Sequence, residues 1–151
     1  MKNHVYLFAS ILAILVLLSC NTQNRENKES KHLFTGADGE IELVVLDPGH
    51  FHASLLQKFP QKQVNDTVLV FAPEGDELNQ YLRSIEGYNQ RADNPTDWYE
   101  VVYTGNDYLE KMIGEKKGNV VVLAGNNGKK TDYIAKSINA GYNVLSDKPM
   151  A

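Results

Sequence analysis

The stretch "NVVVLAGNNGKKTDYIAKSINAGYNVLSDKP", Asn119 to Pro149, decides the fold of this chain. It opens with an apolar run and a turn that contains two asparagines. A helical pattern follows and stops at Gly141, a residue type that is favoured just past a helix end. A second apolar run, residues 142–149, comes next. This order predicts two parallel strands joined by a crossover helix.

The same alternation continues towards the N-terminus. Strands are predicted at residues 41–47, 66–75 and 99–105, and helices at 53–59, 76–88 and 106–116 with Asn106 as a cap. Continuous Val, Leu and Ile runs indicate strands that are covered on both faces. The fourth strand is the most apolar, and we expect it at the centre. The predicted fold is a doubly wound, parallel, Rossmann-like α/β sheet with five strands.

The pattern stops at Ala151, directly after the fifth strand. A complete sheet of this kind would have another helix and another strand. We therefore expect the chain to be the N-terminal piece of a longer protein, and inactive by itself.

The N-terminus has the features of a bacterial lipoprotein signal. The apolar run at residues 5–18 is shorter than the about 20 residues of a membrane span, but it fits a signal peptide. "LLSC", ending at Cys20, resembles a lipobox, in which the cysteine is lipidated. We predict a signal peptide at 1–19, a flexible tether at 20–40 and a globular domain at 41–151, anchored in the cell envelope. The alternative is an uncleaved anchor with an incidental cysteine.

Composition limits the possible partners. The chain has 151 residues, which is enough for one domain with a core, and its single cysteine excludes an intrachain disulfide. Its net charge of −4 and the lack of a basic cluster argue against nucleic-acid binding.

Ligands of open α/β sheets bind outside the carboxyl ends of the strands. We expect five loops to converge on one crevice there. These loops are Asp47–His50, Ala72–Glu74, Thr104–Gly105, Ala124–Asn127 and Ser146–Pro149.

The first of these loops lies within "VLDPGHFHASLL", residues 45–56. Against the dinucleotide pattern G-x-G-x-x-G, Asp47 replaces the first glycine and His52 the third. Gly49 matches the second glycine of the pattern, the one that allows the backbone to approach a pyrophosphate closely, and it is the only one of the three present. The Asp47 carboxylate is expected to repel that anion, and His52 to push the helix away from the sheet. Alternatively, Asp47 is simply a helix N-cap followed by Pro48.

The two histidines of this loop allow further interpretations. Asp47, His50 and His52 are ligand types that suit zinc or iron. Residues two apart do not share a helix face, so this site requires an extended loop, and we assign no metal ligands. The histidines could instead bind substrate hydroxyls or a cofactor phosphate.

The segment "AGYNVLSDKP", Ala140 to Pro149, gives the chain a family resemblance. With the preceding strand, asparagine turn and helix, it resembles the glucose–fructose oxidoreductase/inositol dehydrogenase/MocA (Gfo/Idh/MocA) family across residues 41–151. The resemblance implies an NAD(P)-dependent oxidoreductase that acts on a sugar, a polyol or a related carbonyl compound. Lys148 then takes the place of the lysine that assists proton transfer at the oxidised hydroxyl. Asp147 replaces the usual glutamate.

The resemblance also implies a set of cofactor contacts for NAD or NADP. Glu74 would hold the ribose, and Asn126 and Asn127 would lie along the nicotinamide half, although both can also be ordinary turn residues. The full predicted set is Gly49, His50, Phe51, His52, Glu74, Gly125, Asn126, Asn127, Asp147 and Pro149.

Two other functions remain open. The chain could be a non-catalytic lipoprotein that binds a sugar or metabolite in the same crevice. The two histidines could also support metal-dependent hydrolysis or lyase chemistry. A homo-oligomer, formed through a further C-terminal domain, is a possible assembly.

Overall fold

The computed structural model describes residues 34–148, which form a five-stranded parallel sheet with helices on both faces. This confirms the predicted Rossmann-like α/β fold. The predicted signal peptide, Cys20 and Pro149 lie outside the described residues. The elements in chain order are β1 Leu43–Leu46, α1 His52–Leu55, β2 Thr67–Phe71, α2 Asp76–Gln90, β3 Tyr99–Tyr103, α3 Tyr108–Glu115, β4 Val120–Leu123, α4 Asn127–Asn139 and β5 Asn143–Ser146.

The strand order is β3-β2-β1-β4-β5. Val44 of β1 lies opposite Leu69 of β2 on one side and Val121 of β4 on the other. The prediction that the fourth strand is central is wrong, because β1 occupies the middle and β4 lies between β1 and β5. Strands β2 and β3 follow β1 on one side of the sheet. The chain then crosses to the other side of β1, where β4 and β5 lie.

Two apolar cores lie on the two faces of the sheet. Leu43 and Val45 of β1 belong to one core, with residues of α1 and α2. Val44 and Leu46 belong to the other core, with residues of α3 and α4. This alternation follows from the two-residue period of a strand, and it confirms the doubly wound arrangement.

The outer strands are less covered than β1. Tyr99 of β3 is 66% exposed, and Leu145 of β5 is 48% exposed. The expectation that the strands are covered on both faces holds for β1, which is buried throughout, and is wrong for β3 and β5. In the described part of the chain these two strands pair on one side only, at the margins of the helix layers.

One helix end in residues 34–148 follows the predicted local chemistry, whereas none of the four helices there has a side-chain hydrogen bond that caps its N-terminus. Helix α4 ends before Gly141, whose φ of +89° confirms the predicted left-handed terminus. Asn106 is not the cap of α3, because that helix begins at Tyr108 and Asp107 precedes it. The Asp107 carboxylate accepts a hydrogen bond of 2.6 Å from the Tyr103 hydroxyl instead. Helix α1 is a single turn, shorter than predicted.

A buried glutamine joins the segment after α1 to α2 and β3. The Gln57 side chain is fully buried, and its Oε1 accepts a hydrogen bond of 2.6 Å from the Tyr81 hydroxyl. Its Nε2 donates to Glu100 at 2.7 Å, and the Trp98 indole donates to its backbone carbonyl. Every polar atom of this side chain therefore has a partner, as burial requires.

The globular part begins slightly before Ile41. The Glu40 carboxylate accepts hydrogen bonds of 2.8 Å from the backbone N–H groups of Thr35 and Gly36. The Gly39 N–H donates to the carbonyl of Lys62 at 2.8 Å. The end of the predicted tether is thus attached to the domain. Within residues 34–148, no helix is both long enough and apolar enough to cross a membrane.

Candidate functional site

A cleft lies at the carboxyl ends of β1, β4 and β5, at the point where the strand order reverses. It has a volume of about 440 Å³. The structure thus brings most of the predicted site residues together in one place. The residues that line this cleft are Gly49, His50, His52, Gly125, Asn126, Asn127, Asp147 and Lys148.

The floor of the cleft is a contact between two backbone loops. The N–H groups of Gly49 and His50 both donate to the carbonyl of Ala124, at 3.0 and 3.1 Å. Gly125 has a φ of +152°, and a Cβ added to it would lie 2.7 Å from the Cα of Gly49. Only glycine at position 125 allows this approach. The two glycines therefore shape the cleft by letting the loops meet.

One wall of the cleft carries a cluster of two imidazoles and a carboxylate, which we call the His–Asp cluster: His50, His52 and Asp147. The Oδ2 atom of Asp147 lies 3.2 Å from Nδ1 of His52 and 3.7 Å from Nδ1 of His50. The centroids of the two imidazole rings are 4.3 Å apart. Phe51, between them in sequence, is 57% exposed and lies against the His50 ring outside the cleft lining.

A buried lysine supports the His–Asp cluster from behind. The Lys130 side chain is 3% exposed, and its Nζ donates a hydrogen bond of 2.5 Å to Oδ1 of Asp147. Burial acts to raise the pKa of Asp147, but hydrogen bonds from Lys130 and His52 outweigh it, so the pKa lies below its ordinary value. Asp147 is therefore a carboxylate at neutral pH.

No role for Lys130 is predicted above, although the helix sequence contains a signal for one. Lys130, Tyr133 and Ser137 are spaced by three and four residues, and all three are buried on the inner face of α4. A lysine at such a position needs a partner, because a buried charge without one is costly. Asp147 is that partner.

Asp47 does not take part in the cleft lining. Its φ is +46°, and its carboxylate accepts a hydrogen bond of 2.7 Å from the Tyr133 hydroxyl. Lys129 lies 3.7 Å from the same oxygen, and the hydroxyls of Tyr108 and Tyr133 contact each other. Burial, together with hydrogen bonds to Tyr108 and Asp47, raises the pKa of Tyr133 far above its ordinary value. The Tyr133 phenol therefore stays protonated and donates to Asp47.

Three interpretations of the first loop are therefore corrected. Asp47 is not an N-cap, because α1 begins only at His52, after Phe51, and has no side-chain cap. The ligand set of Asp47 with the two histidines is wrong, because this carboxylate is bound to Tyr133. His52 does not push the helix away from the sheet, because its ring faces Asp147 while Ala53 fills the buried position.

The remaining predicted residues lie as follows. Lys148 lines the cleft, on the chain directly after Asp147. Glu74 follows β2 and is exposed, with the Thr104 hydroxyl donating to its carboxylate at 3.3 Å. It is not part of the cleft lining, so the structure does not bring it together with the other predicted cofactor contacts.

The fold defines a Rossmann-like α/β domain, with a cleft at the point where the strand order reverses. The chain is similar to a protein of Parabacteroides merdae, described from its crystal structure as a "putative oxidoreductase". The two share 63% sequence identity with a TM-score of 0.77, over 78% of this chain and 27% of that one. No protein-family profile and no curated protein matches the chain.

Proposed function

We propose that this chain is the nucleotide-binding part of an NAD(P)-dependent oxidoreductase of the Gfo/Idh/MocA type. Its substrate would be a sugar, a polyol or a related carbonyl compound. One observation carries the proposal: Gly49, Gly125 and Lys148 line a single cleft at the reversal of strand order. The similarity to a protein described as an oxidoreductase supports the reaction class.

The cofactor phosphates would be held mainly by side chains. The N–H groups of Gly49 and His50 already donate to Ala124, so they are not free to bind a pyrophosphate. The imidazoles of His50 and His52 and the amides of Asn126 and Asn127 face the same space. Protonated imidazoles and amide N–H groups are suitable donors to phosphate oxygens.

Lys148 would act on the substrate. Its ammonium group is exposed at the cleft and can donate a hydrogen bond to a substrate hydroxyl. A positive charge at this place would stabilise the alkoxide that develops when the hydroxyl loses its proton. The sequence after Lys148, and a substrate-recognition domain beyond it, would supply the remaining contacts.

Calorimetric titration with NAD⁺, NADH, NADP⁺ and NADPH, in the presence of a chelator, tests this proposal. We expect one dinucleotide to bind per chain, with an affinity about tenfold lower in a variant that combines His50→Ala and His52→Ala, because the hydrogen bonds from the imidazoles to phosphate are lost. Lys136→Ala is the control, since Lys136 pairs with Asp132 on the exposed side of α4. Absence of binding at millimolar nucleotide would contradict the proposal.

The occupied N–H groups of the first loop favour one alternative. A protein that binds a sugar or metabolite without a nucleotide would not need those groups. Such a protein would bind none of the four nucleotides but would bind a sugar or polyol titrated in the same way.

We further propose that Cys20 is lipidated and anchors the protein to the bacterial cell envelope, as the lipobox-like "LLSC" indicates. Cys20→Ser should move the protein from the membrane fraction to the soluble fraction and remove incorporated fatty acid. An unchanged membrane fraction without acylation would instead indicate an uncleaved anchor.

A further inference from the structure

The His–Asp cluster has the composition and spacing of a metal centre. We propose that His50, His52 and Asp147 bind one divalent transition-metal ion, for which Zn²⁺ is the natural probe. The proposal goes beyond the nucleotide-binding function and does not depend on it.

The donor atoms are already close to the distances that such an ion requires. One ligand atom from each residue can be chosen so that all three lie within 4.8 Å of one another. Metal bonds of about 2.0–2.2 Å in a tetrahedral site separate neighbouring ligand atoms by about 3.4 Å. The separations of 3.2 and 3.7 Å between Asp147 and the two imidazoles lie on either side of that value. Small rotations of the partly exposed rings, with the Nδ1 atoms of both histidines unprotonated, would complete the arrangement.

Lys130 prepares the carboxylate for this role. It holds Oδ1 of Asp147, while Oδ2 faces the two histidines. Partners behind a metal ligand fix the orientation of that ligand, and their loss commonly lowers metal affinity. Because Lys130 is buried, it places the carboxylate in one position before any ion arrives.

The ligand types determine which ions fit. Two imidazole nitrogens and one carboxylate suit Zn²⁺, Co²⁺, Ni²⁺ or Fe²⁺, whereas Mg²⁺ and Ca²⁺ prefer oxygen ligands. Three protein ligands leave a coordination position free, as in catalytic zinc sites. That position would face the cleft, where an oxygen atom of a bound molecule could occupy it.

Titration of untagged, chelator-treated and dialysed protein with ZnCl₂ tests the inference, with nucleotides absent. We expect one Zn²⁺ per chain with micromolar or tighter affinity, and no comparable binding of Mg²⁺. His50→Ala, His52→Ala and Asp147→Asn should each weaken Zn²⁺ binding by about tenfold or more, as loss of a ligand should exceed loss of its outer partner. Asp132→Asn is the carboxylate control, because Asp132 lies on the exposed side of α4.

Circular dichroism of each variant separates a lost ligand from a lost fold. Asp147→Asn leaves Lys130 buried without its carboxylate partner, so this variant is the one at risk of unfolding. The His50 and His52 side chains are 45% and 39% exposed, so their alanine variants should keep the fold. Absence of Zn²⁺ binding, or equal affinity in the parent and both folded histidine variants, would overturn the proposal.

Discussion

Individual residues of this domain take their roles from distant partners more than from their neighbours in sequence. Asp47 precedes Pro48 and a helix, which is the local pattern of an N-cap. Its partner is Tyr133, 86 positions away, and no local pattern could reveal it. Lys130 differs, because its helical spacing with Tyr133 already indicated burial.

Gln57 gives a stability prediction at this scale. Gln57→Ala should lower the free energy of unfolding by about 2–3 kcal/mol, because it leaves the buried Tyr81 hydroxyl without its acceptor and creates a cavity. Gln61→Ala, at an exposed site, should change it by less than about 0.5 kcal/mol. Urea denaturation at pH 7 measures both, and equal effects would show that the Gln57 network does not stabilise the fold.

Ionisation of Glu100 is expected to make the free energy of unfolding depend on pH. Burial raises the pKa of Glu100 above its ordinary value, against an opposing hydrogen bond from Gln57. The folded state therefore holds this proton more tightly than the unfolded state, and stability falls as pH rises from about 4.5 through the raised pKa. Glu100→Gln keeps an acceptor for Gln57 but cannot ionise.

Comparing unfolding free energies of Glu100→Gln and the parent at several pH values tests this dependence. The advantage of the variant should be small at pH 4 and larger at pH 7. An advantage that does not change with pH would mean that Glu100 ionises equally easily in both states.

At the scale of elements, periodicity located the helices and strands, and Gly141 correctly indicated the end of α4. Helix α2 was predicted correctly because Leu78, Tyr81 and Ile85 form one apolar face. It begins at the predicted residue and ends two residues later than predicted. The one-turn α1 was harder to predict, since its start depends on where the loop meets Ala124. Contacts between loops have no periodic signature.

Gly87 is an avoidable weakness within α2. A Cβ at this position would meet nothing within 4 Å. Gly87→Ala should therefore raise the unfolding free energy by about 0.5–1 kcal/mol, because alanine is the better helix former and restricts the unfolded chain. Thermal or urea denaturation measures the change. A decrease would contradict the expectation that alanine fits at this position without strain.

Gly125 should respond in the opposite direction. Gly125→Ala would place a Cβ against the Gly49 backbone, and its φ of +152° is unfavourable for alanine. We expect a loss of about 2 kcal/mol or more in unfolding free energy, since backbone strain and a steric clash add together. The same denaturation assay measures it. A neutral result would mean that the two loops separate without cost.

For the whole molecule, the sequence was sufficient for the fold class and for most of the cleft lining. It was insufficient for the strand order, because apolar content does not distinguish the middle strand from its neighbour: β1 and β4 are both runs of Val and Leu. It also could not show that Glu74 lies apart from the cleft. That depends on the reach of the loop after β2.

Amide hydrogen exchange should reveal a gradient across the sheet. β1 pairs on both sides and is buried throughout, whereas β3 and β5 each pair with one strand in the described part. We expect exchange in β1 and β4 to be about tenfold or more slower than in β3 and β5, because edge strands open without global unfolding. Equal rates in all five strands would mean that the domain opens only as a unit.

Because Gly49 and Gly125 bring two backbone loops into contact, the shape of the cleft floor does not depend on the side chains above it. That floor consists of main-chain atoms, which are the same whatever residues surround them. Related proteins that keep these two glycines could exchange the imidazoles, amides and carboxylate above them and acquire new ligand preferences without rebuilding the scaffold. Comparing ligand specificities among such proteins would show how often these side chains differ while the two glycines stay the same.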